Sequence, residues 1–430
     1  MNSFDRFPSS LLIPPISNLK GTVSLPGSKS ISNRVLLISA LANGKTRLHR
    51  LLKSDDTRYM GEGLEALGIS IELSENNAEA VVCGNGGPIS CDSADLFLGN
   101  AGTAMRSLCA ALCLGKGYFR LAGEPRMTER PIRDLVDALT ELGATIRYEG
   151  TEGYPPLLIE AHGLRGGRVS IRGNISSQYL TALLICAPYC ESPLHISIEG
   201  SLISKPYIAL TLKVMKDFGI EVRHENFQEF DIPQGVYRSP GEYSIEGDAS
   251  SASYFLAGAA IAGGPVRVTG VGTKSAQGDV GFVKVLEKMG AVVRLGDDWI
   301  ECEKGTLRGV DLDLNDIPDA AMTVAILALF ADGPTTIRNI GSWRVKETDR
   351  IEALTAELRK VGAAVESSID SIEITPPKEL KSASIETYND HRMAMCFSLV
   401  ALGGVPITIL DPGCVRKTYP QFFDDFKSLT

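Results

Sequence analysis

Glu65-Ala-Leu-Gly68, Thr140-Glu-Leu-Gly143, Lys216-Asp-Phe-Gly219, Glu287-Lys-Met-Gly290 and Arg359-Lys-Val-Gly362 are five versions of one phrase. Each closes a run with helical periodicity, and each glycine stands where a helix end favours a left-handed residue. A β-like run follows each phrase: Ile69–Leu73, Ala144–Arg147, Ile220–Arg223, Ala291–Arg294 and Ala363–Glu366. The phrase returns about every 72 residues, and a fixed period marks a repeated structural unit. A sixth copy is expected to close near the C-terminus, where Phe422–Leu429 reads as its last helix.

The openings of the units recur as well. Polar or glycine-bearing turns stand at Gly27–Ser30, Gly99–Thr103, Gly173–Gln178, Gly247–Ser251, Asp316–Asp319 and Tyr388–Arg392. After each comes a helix rich in Ala, Leu and Ile. A strand opened by glycine follows, as in Gly44–Leu48 and Gly333–Ile337, and a charged loop then leads to a second helix. The unit therefore reads β-α-β-α-β-β. Six units most simply make an α/β protein of two domains with three repeats each, expected at residues 21–243 and at 1–20 plus 244–430. Gln234–Gly241 reads as a linker, with a second crossing near Lys20. Runs such as Ala320–Ala331 carry almost no charge, and a helix apolar all round is buried. Three such helices are expected to fill each domain while the sheets face outward, an inside-out α/β barrel. Six helix N-termini, each a source of positive potential, are expected to serve one cleft.

Composition bounds the function. At 430 residues, with 44% hydrophobic and 22% charged content, the chain reads as globular and multidomain. A net charge of −9 argues against nucleic acid or an acidic membrane surface as partner. It leaves room for a small anion held by local basic clusters. The nine cysteines contain no CxxC pair, and Cys109/Cys113 and Cys186/Cys190 lie at helical spacing in apolar runs. They read as buried free thiols, which fits a reducing compartment. Met1–Lys20 shows no basic stretch followed by an apolar core, and no apolar run is long enough to span a bilayer. A cytoplasmic protein is expected. Five histidines without a close His/Cys cluster make a built-in metal site an unexpected feature.

Candidate chemistry begins at Pro26-Gly-Ser-Lys-Ser-Ile-Ser-Asn-Arg34, a turn entering a helix with serines at the cap position. Lys29 and Arg34 add positive charge to a helix start, which suggests a phosphate or carboxylate cradle. GxxxxGK[ST] spacing is absent, so this is not a P-loop. Arg106, Arg130, Lys205, Arg344, Lys346, Arg350, Arg392, Arg416 and Lys417 fall at equivalent places in the units. Arginine grips carboxylate and phosphate with two donors, and lysine acts as a point charge. Together they suit a substrate with more than one anionic group, although any one of them alone reads as a solvated charge. Acid/base candidates are Asp319, Glu347, Asp390 and His391, with Lys29. Asp319 also reads as a plain helix cap, Glu347 as part of an ion-pair network, and His391 as structural. No nucleophile elbow and no GxGxxG after a strand is present.

Several long motifs then carry a resemblance: Leu25-Pro-Gly-Ser-Lys-Ser30, Gly99-Asn-Ala-Gly-Thr-Ala-Met-Arg106, Glu129-Arg-Pro131, Ser176-Ser-Gln178, Ser204-Lys-Pro-Tyr207, Pro318-Asp-Ala-Ala321, Trp343-Arg-Val-Lys-Glu-Thr-Asp-Arg350, Asn389-Asp-His-Arg-Met-Ala-Met395 and Lys417-Thr-Tyr-Pro420. From about Lys20 to the C-terminus the chain resembles the 5-enolpyruvylshikimate-3-phosphate synthase family. The resemblance implies transfer of the enolpyruvyl group of phosphoenolpyruvate to the 5-hydroxyl of shikimate 3-phosphate, in aromatic amino acid biosynthesis. It implies addition and elimination through a tetrahedral intermediate, no metal or organic cofactor, and a monomer.

Carried over by position, Ser176, Ser177, Ser204 and Lys346 would hold the shikimate phosphate. Ser30, Arg34, Gln178, Tyr207 and Asp319 would meet the rest of that substrate. Lys29, Gly102, Arg130, Gln178, Arg350, Arg392 and Lys417 would meet phosphoenolpyruvate. Asp319 would take the hydroxyl proton. Glu347 and Lys29 would serve the enol carbon and the leaving phosphate, with His391 assisting. Two positions depart from the family pattern. Ser107 stands where proline is common, a change associated in the family with weaker binding of glyphosate. Ser342 stands where an asparagine often contacts the shikimate phosphate. The rival enolpyruvyl transferase acting on UDP-N-acetylglucosamine relies on a loop cysteine, and the Glu129-Arg-Pro131 loop has none. A non-catalytic anion-binding protein is the rival from another class.

Overall fold

The computed structural model describes residues 7–74 and 78–430. Its α-helices, among the described residues, are α1 (Lys29–Leu41), α2 (Asp55–Ala66), α3 (Gly102–Cys113), α4 (Arg133–Glu141), α5 (Ser177–Cys186), α6 (Lys205–Asp217), α7 (Ala249–Ala262), α8 (Phe282–Met289), α9 (Ala321–Leu327), α10 (Arg350–Lys360), α11 (His391–Ser398) and α12 (Phe422–Ser428). Odd and even helices do different things. The odd ones are buried almost all round: α7 keeps only Ala262 out of its buried set, and α5 buries every residue from Tyr179 to Cys186. Each fully buried Leu, Ile, Val or Phe contributes roughly 1.5–3 kcal/mol, so these helices are the cores. The even ones bury one stripe; α4 sinks Leu135, Val136, Ala138 and Leu139 and leaves its other face half-buried or exposed.

Each repeat builds one sheet. Among the described residues, five sheets have four strands in the order first-second-fourth-third, with the first parallel to the second and the third and fourth antiparallel, and the sixth has three strands. Gly167–Arg172, Leu194–Glu199, Arg223–Glu225 and Glu229–Ile232 show the pattern in full. Alternate residues such as Val169 and Ile171 are buried while Arg168, Ser170 and Arg172 are exposed, so one sheet face covers helices and the other meets solvent. The closing glycines Gly68, Gly143, Gly219, Gly290 and Gly362 all have φ between +89° and +107°. A Cβ on Gly68 or Gly219 would touch nothing. The backbone angle, not crowding, selects glycine there.

Two strands change places. Gly21–Ser24 precedes α1 in sequence, yet it pairs with Val266–Thr269. Glu242–Ser244 precedes α7, yet it pairs with Arg47–His49. The chain accordingly divides into two compact units, Met1–Pro26 with Glu246–Thr430, and Gly27–Ile245. Residues 21–26, expected with the residues that follow them, take the other side of the division because their hydrogen bonds lie in the Val266–Thr269 sheet. Gln234–Gly241 is no loose linker. Tyr237 is wholly buried, donates its hydroxyl to the Ile185 carbonyl at 2.9 Å, and packs edge-on to Tyr189. The sixth sheet is closed by Ser10–Ile13, antiparallel to Ile407–Leu410. No helix among the described residues is long and apolar enough to cross a membrane.

Candidate active site

In the unit Gly27–Ile245 the site begins at the entry to α1. Gly27 admits no side chain, since a Cβ would collide with the Arg50 carbonyl. Ser28 sits at the cap position, but its hydroxyl accepts no bond from the first turn; the Oγ is buried without a partner among the described residues. The expected serine cap is therefore not made. The first turn also lacks an acidic residue of its own, which leaves the positive end of α1 without the carboxylate that often accompanies a helix start. Lys29, the first residue of the helix, places Nζ 3.5 Å from Oδ2 of Asp56 on α2.

Arg34 lies one turn further in and is buried. Its Nε donates to Thr211 Oγ1 at 2.9 Å, Nη1 to the Ser30 carbonyl at 2.8 Å, and Nη2 to Thr181 Oγ1 and the Tyr207 carbonyl at 3.2 Å each. The guanidinium thus ties α1 to α5 and α6. Burial lowers its pKa to about 10, which leaves it cationic at neutral pH.

A second basic group forms at the start of α3. Arg130 Nη1 donates to Asn100 twice, to the carbonyl at 2.9 Å and to Oδ1 at 2.8 Å. Its Nε is buried without an acceptor among the described residues. Gly102 makes room for it: a Cβ there would stand 2.5 Å from Arg130 Nη2 and 2.9 Å from Arg106 Nη1. Arg106 and Tyr179 both donate to the Pro131 carbonyl, at 2.8 and 2.6 Å, and so hold the loop that presents Arg130. Gln178 reaches Thr103 Oγ1 at 3.3 Å, joining the starts of α5 and α3. Ser176 caps α5 by accepting from Gln178 N, and Ser177 is the first helical residue. Ser204, with φ +53°, occupies the cap position of α6, and Tyr207 lies in its first turn. The structure thus gathers Gly102, Arg130 and Gln178 in one group, Ser30, Arg34 and Tyr207 in another, and pairs Lys29 with Asp56.

The other unit has a different centre. Arg350, fully buried, donates from Nε to Asp390 Oδ2 at 2.7 Å, from Nη1 to Asp319 Oδ1 at 3.1 Å, and from Nη2 to Glu347 Oε2 at 2.9 Å. Burial alone would lower its pKa; Asp390, Glu347 and Asp319 more than reverse that and raise it. Asp319 also accepts from Arg392 Nη2 at 2.8 Å, and Arg392 Nη1 donates to the Tyr254 hydroxyl at 2.9 Å. Lys417 Nζ lies 3.8 Å from Glu347 Oε1. Asp390 caps α11 by accepting from Arg392 N. His391 is wholly buried, its Nδ1 3.5 Å from Asp390 Oδ1.

Asp319 is not a helix cap. Ala320 is the cap residue of α9, and its N–H is accepted by Asp279 Oδ1 at 3.2 Å. The Asp319 carboxylate accepts from the two guanidinium groups of Arg350 and Arg392. Trp343 donates its indole N–H to the Pro318 carbonyl at 2.8 Å, which fastens the 3₁₀ turn Gly341–Val345 to the Asp319 segment. Ser342 lies in that turn and Lys346 follows it. Arg344 is not brought to the cluster: it braces Asp349 and the carbonyls of Ser368 and Ile369. Arg416 stands over the Phe7 ring at 5.7 Å. Sequence reasoning missed Asp56, Asn100, Thr181, Thr211, Tyr254 and Asp279 as partners. Only Asn100 and Asp279 carried a signal, the first beside Gly99 at a unit start, the second beside a glycine in a charged loop.

These two clusters sit on the fold of the enolpyruvyl transferases. The enolpyruvyl transferase NikO from Streptomyces tendae shares it with a TM-score of 0.79, covering 98% of this chain and 97% of that one, at 20% identity, a likeness of fold alone. The EPSP synthase of Acinetobacter baumannii, at 27% identity, gives 0.80 with 98% of both chains covered. In sequence, the family described as EPSP synthase (3-phosphoshikimate 1-carboxyvinyltransferase) matches residues 13–426. The 3-phosphoshikimate 1-carboxyvinyltransferase of Marinomonas sp. (strain MWYL1) is 59% identical over 98% of this chain and 99% of its own length. That of Escherichia coli O1:K1 is 57% identical with the same coverage. The chain belongs to the EPSP synthase family. Its activity is transfer of the enolpyruvyl group of phosphoenolpyruvate to shikimate 3-phosphate, in aromatic biosynthesis.

Proposed function

We propose that both clusters bind the anionic substrates, and that Asp319, Glu347 and Lys29 carry the proton transfers. The 5-hydroxyl oxygen of shikimate 3-phosphate bonds to C2 of phosphoenolpyruvate. Its proton passes to Asp319, and a second proton is delivered to C3, which gives a tetrahedral intermediate. Loss of a C3 proton and cleavage of the C2–O bond to phosphate then give the enol ether and inorganic phosphate. Glu347 and Lys29 serve C3 and the departing phosphate. An acid and a base must each lie within hydrogen-bond reach of the atoms they serve. Lys29, Gly102, Arg130, Gln178, Arg350, Arg392 and Lys417 hold phosphoenolpyruvate, while Ser30, Arg34, Ser176, Ser177, Gln178, Ser204, Tyr207, Ser342 and Lys346 hold shikimate 3-phosphate. His391, buried behind Asp390, acts by positioning that carboxylate.

One observation carries this reading: the Asp319 carboxylate is held by Arg350 and Arg392 while Asp279 takes over the helix cap. A carboxylate kept from a capping role and fixed by two cations suits an orienting base. Asp319→Asn and Glu347→Gln are each expected to lower kcat by roughly 10²–10⁴ with the circular dichroism spectrum unchanged. Near-normal turnover in either variant would remove that residue from the mechanism. We further propose a cytoplasmic monomer; sedimentation at working concentration tests the second part.

A further inference from the structure

Tyr254 lies on α7, away from every motif that carries the family resemblance, yet its hydroxyl is 2.9 Å from Arg392 Nη1. The ring is fully buried and packs edge-on to Phe422, with centroids 5.6 Å apart. Burial pushes the phenol's pKa up, only partly offset by the Arg392 charge, so it stays a neutral hydroxyl. Arg392 is held at its other amino group by Asp319 Oδ2 at 2.8 Å. A planar guanidinium fixed at both amino groups has one orientation.

The two braces are chemically unlike. Asp319 is a carboxylate that Arg392 shares with Arg350. Tyr254 is a neutral acceptor that fixes the fork without cancelling its charge. A carboxylate at position 254 would orient Arg392 equally well but would compete with an anionic substrate. We propose that Tyr254 is a positioning residue for Arg392: it sets the angle at which the guanidinium meets the carboxylate of phosphoenolpyruvate while leaving its positive charge available. The inference rests on the reading that Arg392 holds phosphoenolpyruvate.

The test compares Tyr254→Phe, Arg392→Ala and the double variant in steady-state kinetics with both substrates. A hydrogen bond to a charged group is worth enough that Tyr254→Phe is expected to raise KM for phosphoenolpyruvate about tenfold. KM for shikimate 3-phosphate should hold, and kcat should change much less than KM. In the Arg392→Ala background the same substitution should add nothing, because the group it orients is gone. A purely structural hydroxyl would lower the melting temperature and leave the two KM values in their original ratio, which overturns the proposal. If Arg392→Ala raises KM for phosphoenolpyruvate and Tyr254→Phe does not, the positioning role alone falls. If Arg392→Ala leaves that KM unmoved, the reading of Arg392 falls and the inference with it.

Discussion

Arg34 and Arg130 of one unit and Arg350 of the other are held in opposite ways. Among the described residues, Arg34 and Arg130 donate only to neutral oxygens: the hydroxyls of Thr181 and Thr211, the side chain of Asn100, and backbone carbonyls. Arg350 donates only to carboxylates, those of Asp319, Glu347 and Asp390. Neutral acceptors orient a cation and leave its field intact, so an arriving dianion meets positive charge. Carboxylates orient a cation and offset part of its field, and Arg350 in turn fixes three carboxylates in place. Both units carry cations, and they differ in the groups that orient them. The difference lies in the partners, not in the cations, and it warns against reading function from basic residues alone.

The largest expected effect pits the two centres against each other. Arg350→Met would leave three carboxylates without their shared cation, two of them buried, and breaking such a network costs roughly 3–5 kcal/mol. Arg34→Met leaves hydroxyls and carbonyls wanting donors, at about 1–3 kcal/mol. Urea unfolding of both variants should rank them in that order, and equal losses would break the contrast.

Next comes Gly102→Ala. Its methyl would press on Arg130 Nη2 and Arg106 Nη1, so the guanidinium must shift and phosphoenolpyruvate should bind about tenfold more weakly. Shikimate 3-phosphate binding, measured by fluorescence titration, should hardly move. An unchanged KM for phosphoenolpyruvate would show that Arg130 does not meet it. Ser107→Pro should have the mildest effect on turnover. Ser107 is buried inside α3. Proline there lacks the helical N–H and crowds the Thr103 carbonyl one turn back, so the Gly102 end of the helix must adjust. The native serine is expected to show weaker glyphosate inhibition than the proline variant; equal inhibition constants would detach this position from the anion site.

Much of this was legible in the chain. Five closing glycines marked a period because a left-handed backbone angle leaves a residue signature at each repeat. Helices such as α7 announced burial by carrying no charge. The strand exchange at Gly21–Ser24 and Glu242–Ser244 left no such mark: both runs precede the helix that local order assigns them, and only hydrogen-bond registers reveal the swap. In the site, Arg350 stood out because its motif is dense in charge, and Asp319 because it follows Pro318 and opens an apolar run. Tyr254, Thr181 and Thr211 did not, since a hydroxyl inside an apolar helix looks like core until the cation it faces is known. The fate of Asp319 was undecidable locally, because a capping aspartate and a catalytic one have the same neighbours in sequence. Asp279, forty residues upstream, accepts the Ala320 N–H at the start of α9, a contact that nothing in the local sequence signals.

The most direct measurement is inorganic phosphate release from phosphoenolpyruvate, with and without shikimate 3-phosphate, on the native chain and on Lys29→Ala. Release that requires shikimate 3-phosphate and is lost in Lys29→Ala is the expected result. Release without shikimate 3-phosphate, or none while both substrates bind, would contradict the account.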